Sequence, residues 1–176
     1  EASRCLKCGG CSECNICEQV CQARAINHAD QETFEELSVG SVILAPGYET
    51  FDATNAAEFG FGRYPNVLTS MQFERMLSAS GFTLGHVARP SDRREPKRIA
   101  FLQCIGSRDQ KHPYCSSVCC MYATKQSMLA KEHVPGVECH VFLMDIRSFG
   151  KGFDAYVERA ENMGVKYIRS RPSFLK

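Results

Sequence analysis

Apolar residues in this chain gather into short blocks whose spacing predicts an alternation of strands and helices. Ile99, Ala100, Phe101 and Leu102 form an unbroken run of the length expected of a buried parallel strand. From Val118 to Lys131, Met121, Met128 and Leu129 recur at roughly helical intervals, which predicts an amphipathic helix. Val137 to Asp145 reads as a second buried strand, Phe153 to Met163 as a helix and Val165 to Arg169 as a third strand. The order β-α-β-α-β between Arg98 and Ser170 predicts an α/β fold, a parallel sheet with right-handed crossovers. Upstream, Val67 to Ser80 predicts a helix with Thr69 or Ser70 as N-cap, Glu74 as capping-box partner and Phe73, Met76 and Leu77 as core face, ended by Gly81. Val39, Val42, Ile43 and Leu44 predict a short buried strand closed by the Ala45-Pro46-Gly47 turn, and 52–63 reads as a loop.

The junction between the first strand of the sheet and its helix is where a nucleotide-binding unit would carry a glycine-rich phosphate loop. Here the loop keeps one glycine, Gly106, and Cys104, Cys115, Cys119 and Cys120 stand in place of the others. A helix N-terminus offers unpaired N–H groups and the positive end of the peptide dipole, so it suits a thiolate-bound iron–sulfur anion as it suits pyrophosphate. On a helix Cys115 and Cys119 share a face, while adjacent Cys119 and Cys120 diverge by about 100° and reach two corners of a cube more easily than two sites on one ion. Against this stands the plainer reading of four buried thiols. Cys139 and His140, inside the second strand, read as core. Asp145 ends that strand where some dinucleotide sites place an acid, but the missing glycines argue against a nucleotide.

Near the start, cysteines fall at 5, 8, 11, 14, 17 and 21. Cys11, Cys14, Cys17 and Cys21 make the bacterial ferredoxin run C-x2-C-x2-C-x3-C, with Gln22 where a proline usually follows. Two-residue gaps let a winding loop present successive sulfurs inward around a cube. In two-cluster ferredoxins the fourth cysteine serves the other cluster, so Cys5 or Cys8 is the alternative ligand to Cys21. Zinc competes for C-x2-C pairs, but it needs two separated pairs rather than six thiols in one run.

Composition narrows the picture further. A formal charge of +1 gives no reason to expect nucleic acid or an anionic membrane as partner. No segment has the length of a membrane span. Eleven cysteines clustered at short intervals read as metal ligands in a reducing, cytoplasmic compartment of an anaerobe, not as a disulfide scaffold. The 44% apolar content supports a sizeable core. The chain opens on Glu1 and contains no G-x-G-x-x-G, and it is read as a slice of a longer polypeptide. The polar stretch 85–97 reads as a linker. Its Arg89, Arg93, Arg94 and Lys97, with Arg98, form either a solvated surface or a patch for an acidic electron-transfer partner.

The strings FLQCIGSRD, YCSSVCCMYATKQSMLAKEH and DIRSFGKGFDAYVERAENMGVKYIRS strongly resemble the A subunit of heterodisulfide reductase and its relatives, flavin and iron–sulfur proteins of anaerobes. The likeness runs through most of the chain from Val39 onward. It implies a [4Fe–4S] cluster on Cys104, Cys115, Cys119 and Cys120, with Gly106, Ser107 and Arg108 shaping the site. It also implies that the turn at Ala45 and Gly47 lets the backbone approach FAD in the full-length protein. Cys5 and Cys8 sit in a string similar to flavin-dependent iron–sulfur oxidoreductases related to the small subunit of glutamate synthase.

These readings combine into a Rossmann-like parallel βαβαβ sheet preceded by a ferredoxin-like iron–sulfur segment. The expected division is a cysteine-rich segment over 1–33, part of a flavin-domain-like region over 34–88 and the cysteine-bearing βαβαβ unit over 89–176. The expected function is electron transfer between flavin and the other subunits of a complex through one or two [4Fe–4S] clusters. No residue is assigned an acid–base or nucleophilic role, and the piece is not read as catalytic by itself. Alternatives of other classes are a zinc-stabilised scaffold and a thiol redox sensor.

Overall fold

The computed structural model describes residues 5–8 and 14–176, in two compact units, Glu1–Gly47 and Tyr48–Lys176. Cys11 lies outside the described residues. In the first unit one short helix, α1 (Ile16–Val20), buries no residue. Its surroundings are held by polar contacts: Glu18 accepts from Lys7 at 3.4 Å and pairs with His28 at 2.5 Å.

The strand expected over Val39–Leu44 does not form. The segment has no ladder partner among the described residues, and Val42, Ile43 and Leu44 stand 73–90% exposed. A strand exists only by pairing, and an apolar run by itself specifies burial without saying against what.

The second unit is built on three strands, β1 (Arg98–Leu102), β2 (Glu138–Leu143) and β3 (Lys166–Arg169), all parallel and in the order β1-β2-β3. Between them run α3 (Cys119–His133) and α4 (Phe153–Asn162). The α/β class expected from the apolar blocks is therefore the class observed. Central β2 alternates in burial: Cys139, Val141 and Leu143 point into the helical layer, while His140 and Phe142 are half-covered on the opposite face. The core joins these side chains to Met76, Leu77, Val87, Ala123, Met128, Ala130 and Ala160. Cys139 is fully buried, and burial pushes its thiol up to about 11.

Helix α3 packs with more than the predicted stripe. Met128 is buried and Met121 and Leu129 are half-buried, but Ala123, Thr124, Ser127 and Ala130 are the residues closest to complete burial. Small side chains let the sheet, α4 and α2 (Ser70–Leu77) approach α3 from several sides, which a single apolar stripe does not encode. The hydroxyls are satisfied locally: Thr124 Oγ1 donates to the Cys120 carbonyl at 2.8 Å, and Ser127 Oγ to the Thr124 carbonyl at 2.8 Å.

Helix α2 starts at Thr69 as expected but ends at Leu77, four residues before Gly81. Its capping-box partner is Gln72 rather than Glu74: Gln72 N–H donates to Thr69 Oγ1 at 3.3 Å, and Thr69 N–H to Gln72 Oε1 at 2.9 Å. Glu74 instead reaches α3, accepting from Lys125 at 2.5 Å and Gln126 at 3.0 Å. Thr69→Ala removes the cap and should lower unfolding free energy by about 1 kcal/mol, read as a lower urea midpoint at unchanged slope.

The stretch 85–97 is an ordered turn and not a loose linker. Val87 is 3% exposed in the core, and Asp92 closes the turn by pairing with Arg89 and accepting from Arg94 N–H at 3.2 Å. Arg98 pairs with Glu138 at 3.2 Å, so part of the basic stretch is spent within the fold.

Candidate functional site

At the carboxyl end of β1 the backbone turns sharply. Cys104, Gly106 and Arg108 all adopt positive φ, at 62°, 65° and 58°. Gly106 is required there, because a Cβ would meet the Phe51 ring at 2.2 Å. The loop is tied across its neck by Arg108 N–H to the Tyr114 carbonyl at 3.1 Å and Ser107 Oγ to the same carbonyl at 2.9 Å. Asp109 Oδ1 folds its tip by accepting from Lys111 N–H at 2.9 Å and His112 N–H at 2.7 Å. Gly106, Ser107 and Arg108 thus all belong to the loop that leads from Cys104 to Cys115.

The loop returns the chain to α3, whose N-cap, Val118, offers no side-chain cap. Cys119 and Cys120 therefore open a helix with free N–H groups. Cys104 and Cys120 are buried, and Cys115 and Cys119 half-buried. Backbone donors address two sulfurs: Arg147 N–H lies 3.4 Å from Cys120 Sγ, and Ser117 N–H lies 3.4 Å from Cys115 Sγ.

Cys119 hydrogen-bonds Cys120, which with burial and the nearby Cys120, Cys104 and Cys115 raises the Cys119 thiol well above its ordinary value. The same hydrogen bond, helped by the Arg147 N–H, lowers Cys120 to about 6 against the effect of burial. Among the described residues no group of three or more His, Cys, Asp or Glu side chains is arranged to hold a single metal ion. As a donor set for an iron–sulfur cluster the corner fits in kind: soft sulfur ligands on one loop and helix start, backbone N–H groups aimed at sulfur, and restricted solvent access.

Asp145, just past β2, faces this corner. Its carboxylate accepts from both Nη atoms of Arg108, Nη2 at 3.3 Å, and from Arg147 Nε at 3.3 Å. Hydrogen bonds from Arg108, then Arg147, hold its carboxyl below the usual range. Since the folded value lies below the unfolded one, this interaction stabilises the fold above about pH 4 and fades as acid carries the pH down through the depressed value. Asp145→Asn should therefore flatten the acid limb of the stability curve, measured by urea unfolding at stepped pH. Arg147 and Phe51 were not legible as site residues, since contacts across sequence separations of this size leave no local pattern.

In the N-terminal unit Cys5, Cys14 and Cys21 are half-buried, and Cys8 and Cys17 exposed. Hydrogen bonding from the Cys8 backbone N–H, then from the Cys8 side chain, lowers the Cys5 thiol, and the Cys5 side chain raises the Cys8 thiol. Cys21 Sγ accepts from Ala25 N–H at 3.4 Å, and Cys17 Sγ lies 3.8 Å from His28 Nε2. Ala45 and Gly47 are exposed, and Gly47 has φ 78° with open space where a Cβ would stand. No helix among the described residues is long and apolar enough to cross a membrane.

Fold and corner together define a cysteine-bearing parallel α/β unit. No family model matches the sequence. Among individual proteins, the chain is 48% identical over 167 residues to the A subunit of the H2:CoB-CoM heterodisulfide,ferredoxin reductase of Methanothermobacter marburgensis, covering 93% of this chain and 25% of that protein. It is 48% identical over 166 residues to the iron-sulfur A subunit of the CoB–CoM heterodisulfide reductase of Methanocaldococcus jannaschii, covering 93% of this chain and 25% of the relative. The A subunit of the ferredoxin:CoB-CoM heterodisulfide reductase of Methanosarcina mazei is 42% identical over 163 residues, 92% of this chain and 21% of its own length. The chain is thus a sequence like the A subunit of heterodisulfide reductase, spanning about a quarter of the length of the curated relatives it matches.

Proposed function

We propose that this chain is the electron-transfer, iron–sulfur portion of a heterodisulfide-reductase-like FAD-dependent oxidoreductase, acting with other subunits in the cytoplasm. What supports the reading is the order Cys104 just past β1, Cys115 on the loop that follows and Cys119 and Cys120 at the start of α3, with backbone N–H groups directed at two of the sulfurs. In this reading those four residues hold one [4Fe–4S] cluster, in a Rossmann-like βαβαβ unit over 89–176. Cys11, Cys14, Cys17 and Cys21, with Cys5 or Cys8 as alternatives, hold another in a ferredoxin-like segment over 1–33. The region 34–88 belongs to a flavin-domain-like part, where Ala45 and Gly47 let the backbone approach FAD in the full-length protein.

A bound cubane supplies one-electron storage. The chain's own residues do the rest. Cysteine thiolates ligate, the Arg147 and Ser117 N–H groups stabilise charge on sulfur, and burial of Cys104 and Cys120 limits access of water. This reading assigns no side chain a proton transfer to a substrate.

The test is purification of the full chain without oxygen, followed by iron, zinc and acid-labile sulfide analysis and electron paramagnetic resonance. About four irons and four sulfides per cluster are expected, by analogy with cubane ligation. Zinc without sulfide would identify a scaffold module instead. Metal-free protein whose cysteines alkylate freely would identify a thiol exchanger.

A further inference from the structure

A charged clasp joins the loop that follows Cys104 to the segment after β2 whose backbone reaches Cys120. Arg108 lies four residues beyond Cys104 and has that thiol as a further neighbour, while Arg147 presents its backbone N–H to Cys120. Asp145 binds both guanidinium groups at once, Arg108 through two hydrogen bonds and Arg147 through Nε at 3.3 Å and Nη2 at 3.5 Å. The Arg108 side chain is 20% exposed, against 40% for Asp145 and 39% for Arg147, so water screens part of the clasp. The C-terminal strand end adds to the frame: Arg169 Nε donates to the Met144 carbonyl at 3.0 Å and Arg171 Nη1 to the Arg108 carbonyl at 3.4 Å.

The positive charge of Arg108 therefore sits beside the sulfurs, bound to the Asp145 carboxylate that also holds Arg147, and none of the three is on a ligand. We propose that Asp145 tunes the reduction potential of the cluster at this corner downward, by cancelling part of the charge of Arg108 and Arg147. The inference rests on the cluster reading given above. Reduction adds an electron, so any gain in local positive charge favours the reduced form and raises the potential, and any loss lowers it.

The sign of the response separates this role from a purely structural one. Asp145→Asn leaves two uncompensated guanidinium groups and should raise the midpoint potential of this cluster. Arg108→Gln and Arg147→Gln each remove a positive charge and should lower it, Arg147→Gln while retaining the backbone donor to Cys120. The measurement is a redox titration of the full chain followed by electron paramagnetic resonance, with iron and sulfide assayed on each variant. Opposite shifts at wild-type iron content support the proposal. Shifts of one sign in all variants, or none, overturn it, as does failure of both arginine variants to retain iron while Asp145→Glu also loses it. Absence of iron and sulfide from the unsubstituted protein would instead overturn the cluster reading itself.

Discussion

Cys119→Ser is expected to abolish the paramagnetic signal of one iron–sulfur cluster while leaving the other intact, with iron content falling by about four atoms per chain. Cys119 opens α3 next to Cys120, where the loop that runs from Cys104 through Cys115 ends. Replacing soft sulfur by a harder hydroxyl, which resists deprotonation, removes a ligand with little change in volume. The substituted position is half-buried and opens α3 without serving as its cap, so the fold should survive. A circular dichroism spectrum matching the unsubstituted protein checks that point. Loss of both signals, or of neither, would count against two separate sites.

The largest effect on stability is expected at Val141. It is 1% exposed, in the middle of the central strand, paired with Phe101 on one side and Tyr167 on the other. Val141→Asp would bury a carboxylate without a counter-ion, a cost of about 3–5 kcal/mol or more, against total stabilities of about 5–15 kcal/mol for domains of this kind. The hydroxyls nearby in the core offer no relief, since Thr124 is shared between the Cys120 carbonyl and Tyr167 and Ser127 is spent on its own helix. Val141→Asp should therefore yield unfolded or insoluble protein. Val141→Ala, which removes two methyl groups, should remain folded and lose roughly 1–3 kcal/mol in urea unfolding.

Much of the second unit was legible from apolar spacing. The predicted strands begin within about one residue of β1, β2 and β3, and the predicted helices match α3 and α4 closely, because buried parallel strands and amphipathic helices impose different periods on the chain. Cys139 as a core thiol and Phe73, Met76 and Leu77 as the inner face of α2 were legible for the same reason. The expectation failed where the period was right but the partner was missing. Val39 to Leu44 carries a strand's composition and no strand to pair with among the described residues. Glu74 was assigned to a cap by its spacing, yet its carboxylate reaches across to Lys125 and Gln126, about fifty residues further along the chain.

What the sequence by itself determined is the kind of chemistry on offer and the order of the elements that present it. Cysteine spacing and hydrophobic period are local properties, written within a few residues of each other. Only the tertiary structure decided that Arg108, Asp145 and Arg147 close on the same corner as Cys104 and Cys120, and that Phe51 forbids any side chain at Gly106. Those contacts depend on parallel strands bringing the ends of β1 and β2 side by side. That juxtaposition arises from packing a sheet against helices and leaves no period in the chain to read.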